Sequence, residues 1–473
     1  MPRQNPNLSQ PKPIPVQQRS NPFLSELSFA YRCRHAIALT TFCFWLSGVG
    51  LLARVAQSVG STSTTSQRFL TMERSFEKEF EDFFGEDLAQ VTQGPADVAQ
   101  TLLKISQETG TQPAVLWVVP RTDHLHLVLL LPGGKPITRD LYNVPRSTLL
   151  KTAATLRDQM SEPDSRWDLK TAQQLHQWLI APFEQEHLQP AKIDTLLLCL
   201  GDGMRGLPLA ALHDGQRYLV EKYSLSIIPA FNLIQTNYQR LKQGKILAAG
   251  ASEFMQMNAL PAVPVEISTI LRFLQGGQAS QTRWQGQSLL NQTFTLANLK
   301  SRLHGQRFNI VHLATHAEFN PGQPHQSYIQ FRDTRLNLDQ MDTVEWSNPS
   351  LDLLVLSACQ TALGDGTAEL GFAGVALKSG VKTALGSLWY ISDVGTLAVM
   401  SEFYQQLTQN PTKAAALRQA QLQMLHKKVR IEGKNLILSN TAIPLSDELL
   451  ANVETDFSHP FYWSGFTMIS SPW

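Results

Sequence analysis

Two short runs, residues 308–315 (FNIVHLAT) and 351–358 (LDLLVLSA), constrain the fold of this 473-residue chain more than any other feature. Each is dominated by Val, Ile, Leu and Ala, stops abruptly, and is too short for an ordinary helix. Such a run reads as a strand buried on both faces of a sheet. Both end on a reactive side chain: His316 follows the first and Cys359 the second. Strand and helix patterns alternate through this half of the chain, which implies a mainly parallel sheet with helices on both faces. If the two strands are parallel neighbours, His316 and Cys359 emerge side by side at their carboxyl ends. Open α/β sheets carry their sites there.

That pairing has a definite chemistry. A thiol is only slightly ionised at neutral pH, so a cysteine nucleophile needs a base or a positive field beside it. His316 can take the thiol proton and later protonate a leaving amine. The loop after the thiol, QTALGDG, carries glycines that let backbone N–H groups turn inward. The amides of Cys359 and Ala317 are the oxyanion donors this arrangement suggests. Cys199 differs, because it lies inside its apolar run and reads as a core thiol.

Competing chemistries fit less well. His312 and His316 are four apart on a β-type run, so they stand about 13 Å apart and do not share a metal. His312 reads as an interior histidine. No G-x-S-x-G elbow and no Walker phosphate loop occurs. Gly201, Gly203 and Gly206 match G-x-G-x-x-G, but Pro208 and the His213-Asp214-Gly215 turn leave no room for the long helix that a dinucleotide site requires. The reading is therefore no cofactor and no metal. A formal net charge of +1 with scattered Lys and Arg argues against a nucleic-acid partner. Four cysteines without C-x-x-C spacing leave no disulfide framework or thiolate zinc site.

Along the chain, residues 1–35 read as a disordered tail rich in Pro, Gln, Asn and Ser. Residues 36–53 (AIALTTFCFWLSGVGLLA) carry no charge and sit at the lower length limit for spanning a bilayer. We take 36–58 as a single transmembrane segment. The modest excess of basic residues before it puts the N-terminus in the cytoplasm and the bulk of the chain on the far side. Residues 59–110 read as a polar linker (60–67) followed by helices, with Phe69, Met72, Phe76, Phe80 and Phe83 at helical spacing. Residues 111–244 then form a smaller α/β half and 245–473 a catalytic half. No repeat of fixed period is present.

The stretches VHLATHAEF, LLVLSACQTALGDG, GFAGVALKSGVKTALGSLW and HPFYWSGFTMI resemble the CHAT domain, a caspase-like family often found with TPR repeats. The upstream GDGMRGLPLAALHDGQRYLVEKYSLSIIP resembles the family's non-catalytic half, so the likeness covers roughly 168–473. It implies a caspase-type fold and a His-Cys dyad at His316 and Cys359 that cleaves peptide bonds of a protein substrate. In related separases an Asp shortly after a Leu-Trp pair recognises a basic P1 residue, and SLWYISD puts Asp393 there. The alternative for Asp393 is an N-cap for the following helix. The chain departs from the family in reading ACQT where many members read ACET, and in lacking TPR repeats, which leaves any TPR or other regulatory module to a separate protein. The alternative function is a catalytically silent scaffold of the same fold that binds proteins at the membrane.

Overall fold

The computed structural model describes residues 49–473 except 89–90, 164–167, 256, 277–282, 321, 347–349, 358–359, 362–373, 376 and 452–455. The chain divides into two units, Met1–Ser58 and Val59–Trp473, and the second contains every sheet described below. Of the expected membrane span, residues 36–48 lie outside the described residues and residues 49–58 are helical. Among those described, no helix is long and apolar enough to cross a membrane.

Helix α1 runs Val49–Phe84, so residues 60–67 are helical and not a linker. Ser and Thr lower helix propensity by only tenths of a kcal/mol each and do not break a helix that its neighbours sustain. The five regularly spaced apolar residues of α1 are all buried. Helix α2 (Pro95–Thr109) and strands β1 (Pro113–Pro120), β2 (Leu125–Leu130) and β3 (Ile137–Leu141) follow. Then come α3 (Arg146–Met160), α4 (Leu169–Leu179), β4 (Thr195–Leu200) and β5 (Ser224–Ile228). The later part supplies β6 (Gln243–Gly250), α5 (Val263–Gln275), β7 (Arg283–Leu290), α6 (Leu296–Gly305) and β8 (Ile310–Ala314). It closes with β9 (Leu353–Leu356), β10 (Thr383–Ser387), α7 (Asp393–Leu407), α8 (Lys413–Leu425) and β11 (Phe466–Ser470).

These eleven strands form one sheet in the order β3-β2-β1-β4-β5-β11-β10-β9-β8-β6-β7. It is mostly parallel, as the alternation predicts; only β1/β2, β2/β3 and β10/β11 pair antiparallel. Strand β11 begins only at Phe466, because Pro460–Trp463 before it is a helical turn opened by Pro at its first position. Strand β11 is the seam. It runs parallel to β5 through Ile227↔Ile469 but antiparallel to β10. The parallel strands β1, β4 and β5 therefore point their carboxyl ends to the opposite edge from β6, β8, β9 and β10.

Side-chain alternation explains the layers. In β1, Val115 and Trp117 join α1 and α2 residues in one apolar cluster, while Ala114, Leu116 and Val118 pack with α3 and α4 on the other face. A buried carboxylate ties α1 down: Glu73 accepts from Trp117 Nε1 and from the backbone amides of Phe231 and Asn232. Charge-assisted bonds of this kind contribute about 1.5–3 kcal/mol each. In the later strands, polar residues at the starting edge set the register. Asn309 accepts from the Lys245 amide and donates to Asp352, which also meets Lys382 Nζ at 2.6 Å. Asp352 is thus the polar start of the β9 run.

Candidate active site

The Asn309–Asp352–Lys382 ladder holds β8 and β9 as parallel neighbours with His312 opposite Val355 and Leu313 opposite Leu356. Beyond β8 the chain passes Thr315 and His316 into the short strand Ala317–Phe319, which carries Ala317 as its buried first residue. Beyond β9, Ser357 donates its amide to the Leu313 carbonyl at 2.9 Å. Residues Gln360–Thr361 then pair with Glu318 and Phe319. Cys359 itself lies outside the described residues. The segments on either side of position 359 pair with the segments on either side of position 316.

His316 is half-buried and held by the loop after β6. Its Nε2 lies 2.9 Å from the Asn258 carbonyl, and Phe254 packs edge-on to its ring at 4.8 Å between centroids. A carbonyl only accepts, so the proton sits on Nε2 and the Nδ1 lone pair is left to act as a base. Gly250 lets this loop start where it does. A Cβ there would fall 2.3 Å from the Ala314 carbonyl oxygen and 2.9 Å from Val263, so only glycine fits between β6, β8 and α5.

The same loop reaches Asp393. The Ala262 amide, at the start of α5, donates to the Asp393 carboxylate. Asp393 is not the N-cap of α7. Ser392 caps that helix by accepting from the Gly395 amide, and Asp393 is its first helical residue. Burial pushes the Asp393 carboxyl up to about 7, the Ala262 bond pulls it down, and the Glu266 charge pushes it up further. Residues 251–262 therefore touch both His316 and Asp393, a connection that sequence spacing does not reveal.

Beneath the site lies a buried polar chain. His312 is fully buried, as the sequence suggests, with Nδ1 3.2 Å from the Tyr404 hydroxyl and Nε2 3.0 Å from a Glu266 oxygen, close but poorly aligned for a hydrogen bond. The Ser357 hydroxyl donates to Glu266. Burial and the Glu266 charge push the Tyr404 phenol well up. Glu266, in the first turn of α5, is buried and through Ser357 joins α5 to the end of β9, two residues before position 359. The only signal available was its apolar neighbours Val265 and Ile267.

The other sequence candidates lie elsewhere. Cys199 is buried within β4, donates to the Pro229 carbonyl and is pushed well up by burial. The glycine motif follows β4 at the opposite edge of the sheet and leads only to a single turn, Leu209–Ala211.

A family model, the CHAT domain, matches residues 169–471, more than half of the chain. The chain belongs to the CHAT domain family. No curated protein matches it. Among solved structures this CHAT chain is similar to the Saccharomyces cerevisiae separase–securin complex, at 11% identity and TM-score 0.47 over 81% of this chain and 32% of that one. It is also similar to the Arg-specific cysteine proteinase gingipain R, at 10% identity and TM-score 0.37 over 69% of this chain and 74% of that one. The chain spans about a third of the length of the separase it matches.

Proposed function

We propose that this CHAT protein is a caspase-like cysteine endopeptidase acting on a protein substrate. His316 is the general base through Nδ1 and Cys359 the nucleophile that forms the thioester. The backbone amides of Ala317 and Cys359 receive the oxyanion. The observation that supports the reading is the paired register: Leu356 stands opposite Leu313 and Gln360 opposite Glu318, so the segments flanking position 359 pair with those flanking position 316. The orientation of His316 by the Asn258 carbonyl supports it, since a base needs one fixed tautomer. Asp393 is the floor of a pocket for Arg or Lys, at a half-buried position where burial resists its ionisation until a cation arrives.

The test exposes the protein to an electrophilic peptide probe ending in Arg. Labelling at Cys359 that disappears in His316→Ala supports the dyad. Absence of labelling in the presence of candidate activating partners, TPR proteins among them, returns the chain to the scaffold reading. Membrane attachment is a separate part of the proposal, resting on the uncharged run 36–53: one span, N-terminus cytoplasmic, peptidase on the far side. Protease added to sealed vesicles of each orientation tests it, because digestion of residues 59–473 from the cytoplasmic face refutes that orientation.

A further inference from the structure

We propose that His124, His126 and Asp140 form a three-ligand site for a divalent transition-metal ion of the Zn2+ class. The sequence alone calls for no metal, since its His-x-His pair gains a third ligand only through the sheet. His124 ends the β1–β2 turn, closed by the Arg121 amide on its carbonyl at 2.9 Å, and His126 is the second residue of β2. Residues two apart on a strand face the same side. The antiparallel register sets His126 directly opposite Asp140 on the edge strand β3. Asp140 is exposed, and both histidines are partly open to solvent.

The three donor atoms lie within 4.8 Å of one another. His126 Nδ1 is 2.5 Å from Asp140 Oδ1, and His124 Nε2 is 3.6 Å from the same oxygen. Metal–ligand bonds of about 2.0–2.2 Å in a tetrahedral site put ligand atoms roughly 3.3 Å apart. The longer separation already fits; the shorter is a hydrogen bond in which His126 Nδ1 donates to Asp140, and a metal ion would displace that proton as the exposed Asp140 side chain rotates away.

A second carboxylate sets the tautomer. Asp123 lies 2.8 Å from His124 Nδ1, so that nitrogen carries the proton. In the neutral ring, Nε2 then aims its lone pair at the Asp140 carboxylate. Two acceptors facing each other are unfavourable unless a cation lies between them or Nε2 itself is protonated. A carboxylate on the far nitrogen of a ligating histidine is also what orients metal-bound imidazoles. Two imidazoles and one carboxylate suit zinc or cobalt and leave one coordination position open.

The experiment titrates Co2+, then Zn2+, into the full chain and into its Cys359→Ser variant, following Co2+ absorption and the Zn2+-induced rise in melting temperature. The expected result is one saturable equivalent in both. Affinity should fall by about 100-fold or more in His126→Ala and Asp140→Ala, and by about tenfold in Asp123→Asn. Uptake retained by both His124→Ala and His126→Ala overturns the proposal, as does absence of saturable uptake. Uptake lost in Cys359→Ser but unchanged in His126→Ala assigns the ion to the thiol and also overturns it.

Discussion

Glu184 and Asp393 are both carboxylates withdrawn from water, one on each side of the β11 seam, and they titrate in opposite directions. Burial pushes Glu184 up, but His176 and Lys222 outweigh it and hold the carboxyl at about 2. Lys222 Nζ sits 2.6 Å from Glu184 and 2.6 Å from Asp214, His176 Nε2 lies 3.3 Å from Glu184, and the Tyr223 hydroxyl donates at 3.1 Å. Asp393 is also raised by burial, but its partners are the neutral Ala262 amide and the like charge of Glu266, and it stays up at about 7. The first cluster is internally complete. The second has a carboxyl poised to ionise when a cation is supplied, which is the form a binding site takes.

The comparison breaks most visibly if Lys222 can be removed cheaply. Lys222→Ala leaves Glu184 buried and short of its main cation, so urea unfolding at pH 7 should show a loss of about 3–5 kcal/mol. A loss near zero would make the Glu184 cluster ornamental. The acid limb of stability gives the next effect. Glu184 has its ordinary value of 4.5 when unfolded and about 2 when folded, so its contribution is complete above pH 4.5 and disappears as pH falls toward 2. That contribution is roughly 3 kcal/mol, and Glu184→Gln should flatten the limb by that amount.

Asp393 must behave the other way. Its folded value lies above its unfolded 3.8, so the folded state keeps a proton that the unfolded chain has released. Stability should therefore fall as pH rises from about 4 to 7 and level off above. Asp393→Asn keeps an acceptor for Ala262 and removes that penalty. We expect a gain of roughly 4 kcal/mol at pH 8 and none at pH 4, read by thermal unfolding. In the same variant, cleavage after Arg should drop about 100-fold while cleavage after uncharged residues does not. In the unsubstituted protein, the preference for Arg over an uncharged P1 residue should rise with pH through about 7. A flat preference would detach Asp393 from specificity.

Much of this arrangement is legible in the sequence, and the remainder is hidden for identifiable reasons. Uninterrupted Val, Ile and Leu runs announce buried parallel strands, so β8, β9 and the edge carrying His316 could be read directly. The helical spacing of Phe69, Met72, Phe76, Phe80 and Phe83 likewise marked the buried face of α1. Strand β7 (RWQGQSLL) was not legible, because an edge strand carries polar residues that resemble a loop. The ties from Asn258 to His316 and from Ala262 to Asp393 run through main-chain atoms, which every residue has. Ser392 took the cap that the pattern assigned equally well to Asp393, since both residue types cap helices and only the backbone angle selects one. The burial of Glu266 is hidden because a carboxylate in a first turn suits the helix dipole whether or not it is buried.

The smallest effect is the most specific test of how the second region differs from the first. Phe254 makes no charge interaction, yet its ring packs against His316 beside the Asn258 carbonyl that sets the tautomer. Phe254→Ala should leave the Glu184 acid limb untouched and cost little stability, because the side chain is only partly buried. It should lower kcat for peptide cleavage about tenfold with little change in KM, since a loosened imidazole spends less time aligned with the thiol. Phe254→Leu, which restores apolar bulk, should recover most of that loss. Equal losses in kcat and folding stability, with no recovery in Phe254→Leu, would mean that the loop props up the fold and does not orient the base.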